Sequence, residues 1–122
     1  MKPFIKWAGG KTQLLEILIG NLPEDKLIKN YMEPFIGGGA LFFYLLENDY
    51  YEKYYINDIN FKLINLYIDL RENIEELLAI LNELKSRFLK LDLSEREKMY
   101  YSLRKEFNIS KDNLYLSALF IF

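Results

Sequence analysis

Glu33-Pro34-Phe35-Ile36-Gly37-Gly38-Gly39 runs directly into Ala40-Leu41-Phe42-Phe43. An acid in apolar surroundings leads into three consecutive glycines, and the glycines lead into an apolar block with helical character. Glycine carries no Cβ, so it adopts positive φ and lets a ligand come close to the backbone. Between a short strand and a helix start, such a run reads either as a flexible turn or as a cradle for something small and polar. The flanking sequence has to decide between the two.

Upstream, Leu27 to Phe35 holds the first strand candidate, centred on Tyr31-Met32-Glu33. Downstream, Ala40 to Leu46 reads as a helix ended by Asn48 and Asp49. Lys53 to Ile56, dense in tyrosine and bounded by Asn57-Asp58, is the second strand candidate. A helical crossover between the two makes them parallel. Nearer the N-terminus, Ala8-Gly9-Gly10 breaks a mixed segment. Thr12 then offers an N-cap to a helix with Leu14, Leu15, Leu18 and Ile19 at helical spacing, stopped by Gly20, Asn21 and Pro23. From Asn60 the positions of Phe61, Leu63, Ile64, Tyr67 and Ile68 are helical, and Asn73 is placed to cap a long amphipathic helix with apolar positions at Ile74, Leu77, Leu78, Leu81, Leu84 and Phe88. Ser94 followed by Glu97 has the form of a capping box and predicts a helix from Glu95 to Phe107. Ser110 or Asp112 opens a last helix, Leu114 to Phe122.

The fold class is therefore α/β. A parallel sheet of two strands is small for an arrangement that is normally larger and covered on both faces. The segment Ala118-Leu119-Phe120-Ile121-Phe122 is also an apolar helical pattern without a polar tail. The expectation is the N-terminal part of a larger fold, with self-association through that apolar end as one way to cover it. The alternative is that the long helices close the core unaided.

Composition narrows the chemistry. With 122 residues, 51% of them hydrophobic, the chain has the size and apolar content of one globular domain. A net charge of −2 excludes a wholesale cationic surface, so contacts to nucleic acid have to be local. Cysteine and histidine are both absent, which removes disulfides, thiolate nucleophiles and the commonest metal ligand. What remains is carboxylates, amides, lysine, tyrosine and backbone dipoles. The sequence has no run of about 18 apolar residues and no signal-peptide core, so the expectation is a cytoplasmic protein without membrane or metal.

Lys6-Trp7-Ala8-Gly9-Gly10-Lys11-Thr12 ends like a phosphate loop, but Ile5 stands where that motif needs its first glycine. A tryptophan face able to stack on a purine and a lysine able to meet a carboxylate or phosphate remain. A core tryptophan beside a solvated lysine is the plainer reading. Gly37-x-Gly39 matches half of a dinucleotide fingerprint, with Phe42 in place of its third glycine. Asp58 follows the second strand at the spacing of the acid that takes ribose hydroxyls, or else it is an N-cap for the next helix. The tyrosines Tyr50, Tyr51, Tyr54, Tyr55 and Tyr67 can stack on bases, or simply pack. The acidic stretch Glu72 to Glu83 reads as a solvated face.

Taken together, three blocks resemble a known family. Phe4-Ile5-Lys6-Trp7-Ala8-Gly9-Gly10-Lys11, Glu33-Pro34-Phe35-Ile36-Gly37-Gly38-Gly39-Ala40 and Asn57-Asp58-Ile59-Asn60 look like the N-terminal half of Dam-type adenine-specific DNA methyltransferases. Tyr100-Tyr101-x-x-Arg104-x-x-Phe107-Asn108 and Ala118-Leu119-Phe120-Ile121 are similar to that family too, so the likeness covers essentially the whole chain. It implies a Rossmann-like methyltransferase fold that takes S-adenosylmethionine as cofactor. It also implies double-stranded DNA as partner, with methylation of the exocyclic amino group of adenine, as in restriction-modification systems. By the same resemblance Trp7 and Lys11 contact the cofactor, and Glu33, Pro34, Phe35, Gly37, Gly38 and Gly39 wrap its methionine part. Asp58 takes its ribose hydroxyls, and Lys6 contacts DNA. Residues 1–72 would be the cofactor-binding part and 73–122 a helical segment leading into a DNA-recognition region absent from the chain.

The family's catalytic motif is Asp-Pro-Pro-Tyr, and no Pro-Pro pair occurs here. The expectation is a truncated chain that keeps much of a cofactor site, holds no catalytic residue and is inactive alone. A non-catalytic remnant binding a nucleotide or a partner protein is the alternative. An NAD-dependent redox domain is disfavoured by Phe42.

Overall fold

Two strands, β1 (Asn30–Glu33) and β2 (Lys53–Ile56), pair in parallel in a computed structural model that describes residues 4, 5, 7 and 9–122. Tyr31 lies opposite Tyr54 and Glu33 opposite Ile56. Successive side chains of a strand point to opposite faces. Tyr31, Glu33, Tyr54 and Ile56 therefore share one face, where all are buried or half-buried, while Asn30, Met32, Lys53 and Tyr55 are exposed on the other. Both strands and their parallel pairing are as the sequence predicts.

The chain divides into two compact units, Met1–Ile59 and Asn60–Phe122. In the first, the crossover from β1 to β2 runs through α2 (Ala40–Glu47), which buries Ala40, Leu41, Phe43 and Leu45. Its tie to the sheet is aromatic. Phe42 meets Tyr54 edge-on at 5.8 Å, and the Tyr54 hydroxyl donates to the Leu45 carbonyl at 2.9 Å. The Tyr51 backbone N–H donates to the same hydroxyl at 3.1 Å. Of the tyrosines proposed to stack on bases, Tyr51 and Tyr54 thus pack within this unit, whereas Tyr55 faces outward.

Ahead of β1, the expected helix from Thr12 is a 3₁₀ turn, Lys11–Leu14, followed by a short α1 (Leu15–Gly20). Thr12 makes no capping bond. The Lys11 ammonium is tied to Glu33 and to the Phe35 carbonyl, so a tertiary anchor rather than a side-chain cap starts this segment.

The second unit holds four helices, α3 (Phe61–Glu72), α4 (Ile74–Leu89), α5 (Leu93–Ile109) and α6 (Asn113–Ile121). Helix α6 packs against the other three, and Leu63, Leu66, Leu77, Leu84, Met99, Leu103, Leu116 and Ala118 are buried. This unit begins at Asn60, so α3 shares a core with the later helices. Asn60 is the cap of α3, its side-chain oxygen accepting the N–H groups of Lys62 and Leu63. Asp58, the alternative cap, is not used for it.

Two further caps differ from the sequence expectation. Asn73 does not cap α4, because its amide donates to Asp69 at 2.9 Å. Asp69 is a buried carboxylate that also accepts from the Ser117 hydroxyl, and burial makes its need for donors the stronger demand. The capping box of α5 is Asp92 with Glu95, two residues before Ser94 with Glu97. The last helix is capped by Asp112, whose carboxylate accepts from the Tyr115 N–H at 3.2 Å.

Candidate functional site

The glycine loop lies just past the carboxyl end of β1, where open α/β arrangements place their ligands. Backbone bonds lock it onto the end of β2. Asn57 N–H donates to the Glu33 carbonyl, and Ile36 N–H to the Asn57 carbonyl, each at 2.9 Å. Gly39 N–H returns to the Ile36 carbonyl at 3.0 Å and closes the turn. Gly37 (φ 53°) and Gly39 (φ 77°) are both left-handed, a conformation side chains rarely adopt, and all three glycines are buried.

One bond joins the loop to the acid singled out beyond β2. Gly37 N–H donates to Asp58 Oδ2 at 3.0 Å. Across the loop stands Trp7. A methyl group at Gly37 would come within 3.0 Å of the Trp7 Cδ1 and 3.2 Å of its Nε1, so the absence of a side chain is what lets the indole close on the backbone. Beside this contact lies a cavity of about 500 Å³ lined by Ile5, Trp7, Gly9, Gly10, Thr12, Gln13 and Gly38. Its size falls within the ~300–1,000 Å³ of small-molecule sites.

Glu33 closes the other side of the loop. It is 4% exposed, and its two oxygens take different donors. Lys11 Nζ lies 2.7 Å from Oε1, and the Tyr31 hydroxyl donates to Oε2 at 2.7 Å. Lys11 also donates to the Phe35 carbonyl at 3.0 Å. Burial, reinforced by the hydrogen bond and negative charge of Glu33, pushes the Tyr31 phenol well above the usual tyrosine range. Pro34 and Phe35 are exposed on the outer side of the loop.

The structure thus brings together Trp7, Lys11, Glu33, Gly37, Gly38, Gly39 and Asp58, and Pro34 and Phe35 flank them. Lys6, the expected DNA contact, lies outside the described residues. Tyr31 and the cavity-lining Thr12 and Gln13 were not singled out by sequence. Sequence places Tyr31 two residues before Glu33 on the same strand face, but only the structure shows its hydroxyl on the carboxylate. The site offers an aromatic face, unhindered backbone and a carboxylate fixed at a loop, which suits recognition of a polar ligand. Among the described residues no group of His, Cys, Asp or Glu is arranged to hold a metal, and no helix is long and apolar enough to cross a membrane.

A second hollow, of about 590 Å³, belongs to the helical unit and is lined by Lys62, Tyr100, Arg104, Phe107 and Phe120 among others. Lys62 Nζ donates there to the Phe107 carbonyl at 3.0 Å and lies 4.3 Å from the centre of the Phe107 ring.

Comparison with known proteins adds an independent line. The model of the family described as D12 class N6 adenine-specific DNA methyltransferase matches residues 7–121. The Type II methyltransferase M.MjaIII of Methanocaldococcus jannaschii is 43% identical over 128 aligned positions, covering 100% of this chain and 44% of the relative. The Type II methyltransferase M1.LlaDCHI of Lactococcus lactis subsp. cremoris is 37% identical, covering 88% of the chain and 42% of the relative. A DNA adenine methylase of Vibrio cholerae serotype O1 is 36% identical, covering 99% and 39%. The chain therefore spans about two fifths of the length of these relatives.

Proposed function

The chain belongs to the D12 class N6 adenine-specific DNA methyltransferases, and from that premise we propose that its first unit binds S-adenosylmethionine at the Trp7–glycine-loop cavity. The protein's reaction would be transfer of the methyl group to the exocyclic amino group of adenine in double-stranded DNA, which implies a cytoplasmic setting. The observation that carries the reading is the bond from Gly37 N–H to Asp58 Oδ2, which sets a carboxylate beside a loop that only glycine fits. The order β1, α2, β2, with the loop after the first strand and the acid after the second, supports a Rossmann-like arrangement.

The residues present fit such a ligand. A glycine run with left-handed backbone lets the indole pack against it, and the half-buried Trp7 ring keeps π surface at the cavity where a nucleoside amino acid needs it. Asp58 would accept hydrogen bonds from the ribose hydroxyls while keeping its hold on Gly37. Trp7 would offer its ring, and Gly37, Gly38 and Gly39 would admit the methionine portion, with Glu33, Pro34 and Phe35 shaping the loop. Lys11 would supply positive charge toward the ligand's carboxylate, and Lys6 a contact to DNA. When bound, the cofactor supplies an electrophilic methyl group on a sulfonium sulfur. No residue of the chain is assigned to hold the acceptor amino group, so we assign no catalytic residue.

Calorimetric titration tests this reading. Saturable heat with S-adenosylmethionine and none with NAD is the expected result, and absence of binding to the former overturns it. A DNA methylation assay on the chain alone is expected to show no transfer; incorporation of methyl groups would mean that catalytic residues have been missed.

A further inference from the structure

Glu33 has the position of a ligand-facing acid, yet its side chain turns inward. Among the described residues its partners are Lys11 on one oxygen and Tyr31 on the other, and the side chain is 4% exposed. Lys11 reaches on to the Phe35 carbonyl, so one ammonium ties the end of β1 and the start of the loop to the turn at residues 11–14. That turn continues from Trp7, whose carbonyl accepts the Gly10 N–H at 3.1 Å. The tether therefore acts on the segment that closes over Gly37.

A carboxylate held by one donor still swings about its terminal torsion, which is broad. A second donor on the opposite oxygen removes that freedom. Tyr31 is built for it, being two residues from Glu33 on the same face of β1. Its ring is stacked on Tyr51 at 5.6 Å with 19° between planes and meets Tyr54 edge-on at 6.0 Å. Tyr54 is itself anchored through its hydroxyl to the Leu45 carbonyl. The aromatic cluster thus aims the Tyr31 hydroxyl, which is more than packing requires of a tyrosine.

The geometry points to Tyr31 as a positioning residue for the cofactor site: by holding Oε2 of Glu33 it keeps Oε1 on Lys11, and that tether keeps the Trp7 segment closed on the glycine loop. Glu33 in this arrangement shapes the site from behind. The inference rests on the cofactor reading above for its consequence, but its own readout does not depend on it.

Trp7 is the one tryptophan in the sequence, so acrylamide quenching of its emission reports whether that segment is closed. Tyr31→Phe keeps the ring. It is expected to retain the far-UV circular dichroism of the parent, to raise the Trp7 quenching constant about twofold or more, and to weaken S-adenosylmethionine binding about tenfold, the worth of one hydrogen bond to a charged acceptor. Glu33→Gln should do the same, and Tyr31→Phe added to Glu33→Gln should change little further, because both act through one carboxylate. If Tyr31→Phe does not fold, Lys11→Met cuts the tether at its other end and should raise quenching equally. Unchanged quenching in the folded variant, or equal increments with and without Glu33→Gln, overturns the proposal and leaves Tyr31 a packing residue. If the parent protein binds no S-adenosylmethionine, the cofactor reading falls, while Trp7 quenching still decides whether Tyr31 sets the loop.

Discussion

Asp58 is the residue at which two readings of the sequence part, and its neighbour Asn60 separates them. Because Asn60 supplies the cap of α3, the Asp58 carboxylate is committed to the glycine loop through Gly37 N–H. Asp58→Ala should then weaken S-adenosylmethionine binding by about 1–3 kcal/mol, the cost of losing hydrogen bonds to a charged group. Calorimetry decides it, and unchanged affinity would mean that the carboxylate serves the loop alone. Gly37→Ala tests the same place from the other side. A left-handed φ of 53° costs an L-residue about 1–2 kcal/mol, and the new methyl would strike the indole at 3.0 Å. Lower thermal stability together with a shifted Trp7 emission is expected. Tyr115 gives a pH prediction. Burial, and then the hydrogen bond and charge of Glu106 against a weaker opposing effect of Arg87, push its phenol up to about 12. A folded-state value above the unfolded ~10 means that this stabilisation is fully present below pH ~10 and is lost as pH rises toward ~12. Urea unfolding at pH 9 and pH 11 should show the loss, and Tyr115→Phe should reduce it. Most of the candidate site was legible at this scale, because glycine runs, a lone tryptophan and an acid at fixed spacing are local patterns. Tyr31 was not, since a tyrosine in a strand reads as packing until its hydroxyl is seen on Glu33.

At the scale of elements, the extents of β1, α2, β2 and the later helices follow from apolar spacing, but the caps of α4 and α5 do not. A capping signature is only four residues long, and overlapping copies compete. Around α5 both Asp92-x-x-Glu95 and Ser94-x-x-Glu97 have the right form. The first wins, and it sets Arg96 in the opening turn. Arg96 Nε donates from there to the carbonyls of Phe88, in the last turn of α4, and of Leu91, just beyond it, and its guanidinium lies 4.7 Å from the centre of the Phe88 ring. Starting the helix two residues later would move Arg96 from its fourth to its second helical position. Asp92→Ala should therefore cost about 1 kcal/mol of unfolding free energy, and Ser94→Ala less than about 0.5 kcal/mol. Equal effects would show that the two frames exchange. Asn73 and Asp69 make the parallel case between elements. Sequence offers Asn73 as a cap, but the buried Asp69 draws its amide and the Ser117 hydroxyl together, tying α3 to α6. Asp69→Ala strands both donors, for an expected loss of about 1–3 kcal/mol in denaturation followed by helical circular dichroism.

For the whole molecule, the parallel pairing and the α/β character were legible because a helix between two short strands is the connection that parallel strands need. The division after Ile59 was not, because it depends on which helix faces Leu63 and Leu66 find, and amphipathic spacing says only that each has such a face. The sheet shows the same limit. Alternation separates its two faces in sequence, but not which of them is covered. In the structure α2 covers the face with Tyr31 and Tyr54, and the opposite face leaves Met32 71% and Tyr55 50% exposed as a cross-strand pair. Parallel sheets are normally covered on both sides, so this pair is where cover would have to come from outside the described residues. Met32→Thr with Tyr55→Thr places a β-branched side chain, which suits a strand, at both positions and removes the apolar surface. If the face is open in solution, the double variant should unfold within about 0.5 kcal/mol of the parent and bind less of an apolar dye. Leu45→Ala, on the covered side, should cost about 2–5 kcal/mol. A loss comparable to that of Leu45→Ala in the double variant would mean that the face is covered, and dependence of the loss on protein concentration would identify a second copy as the cover.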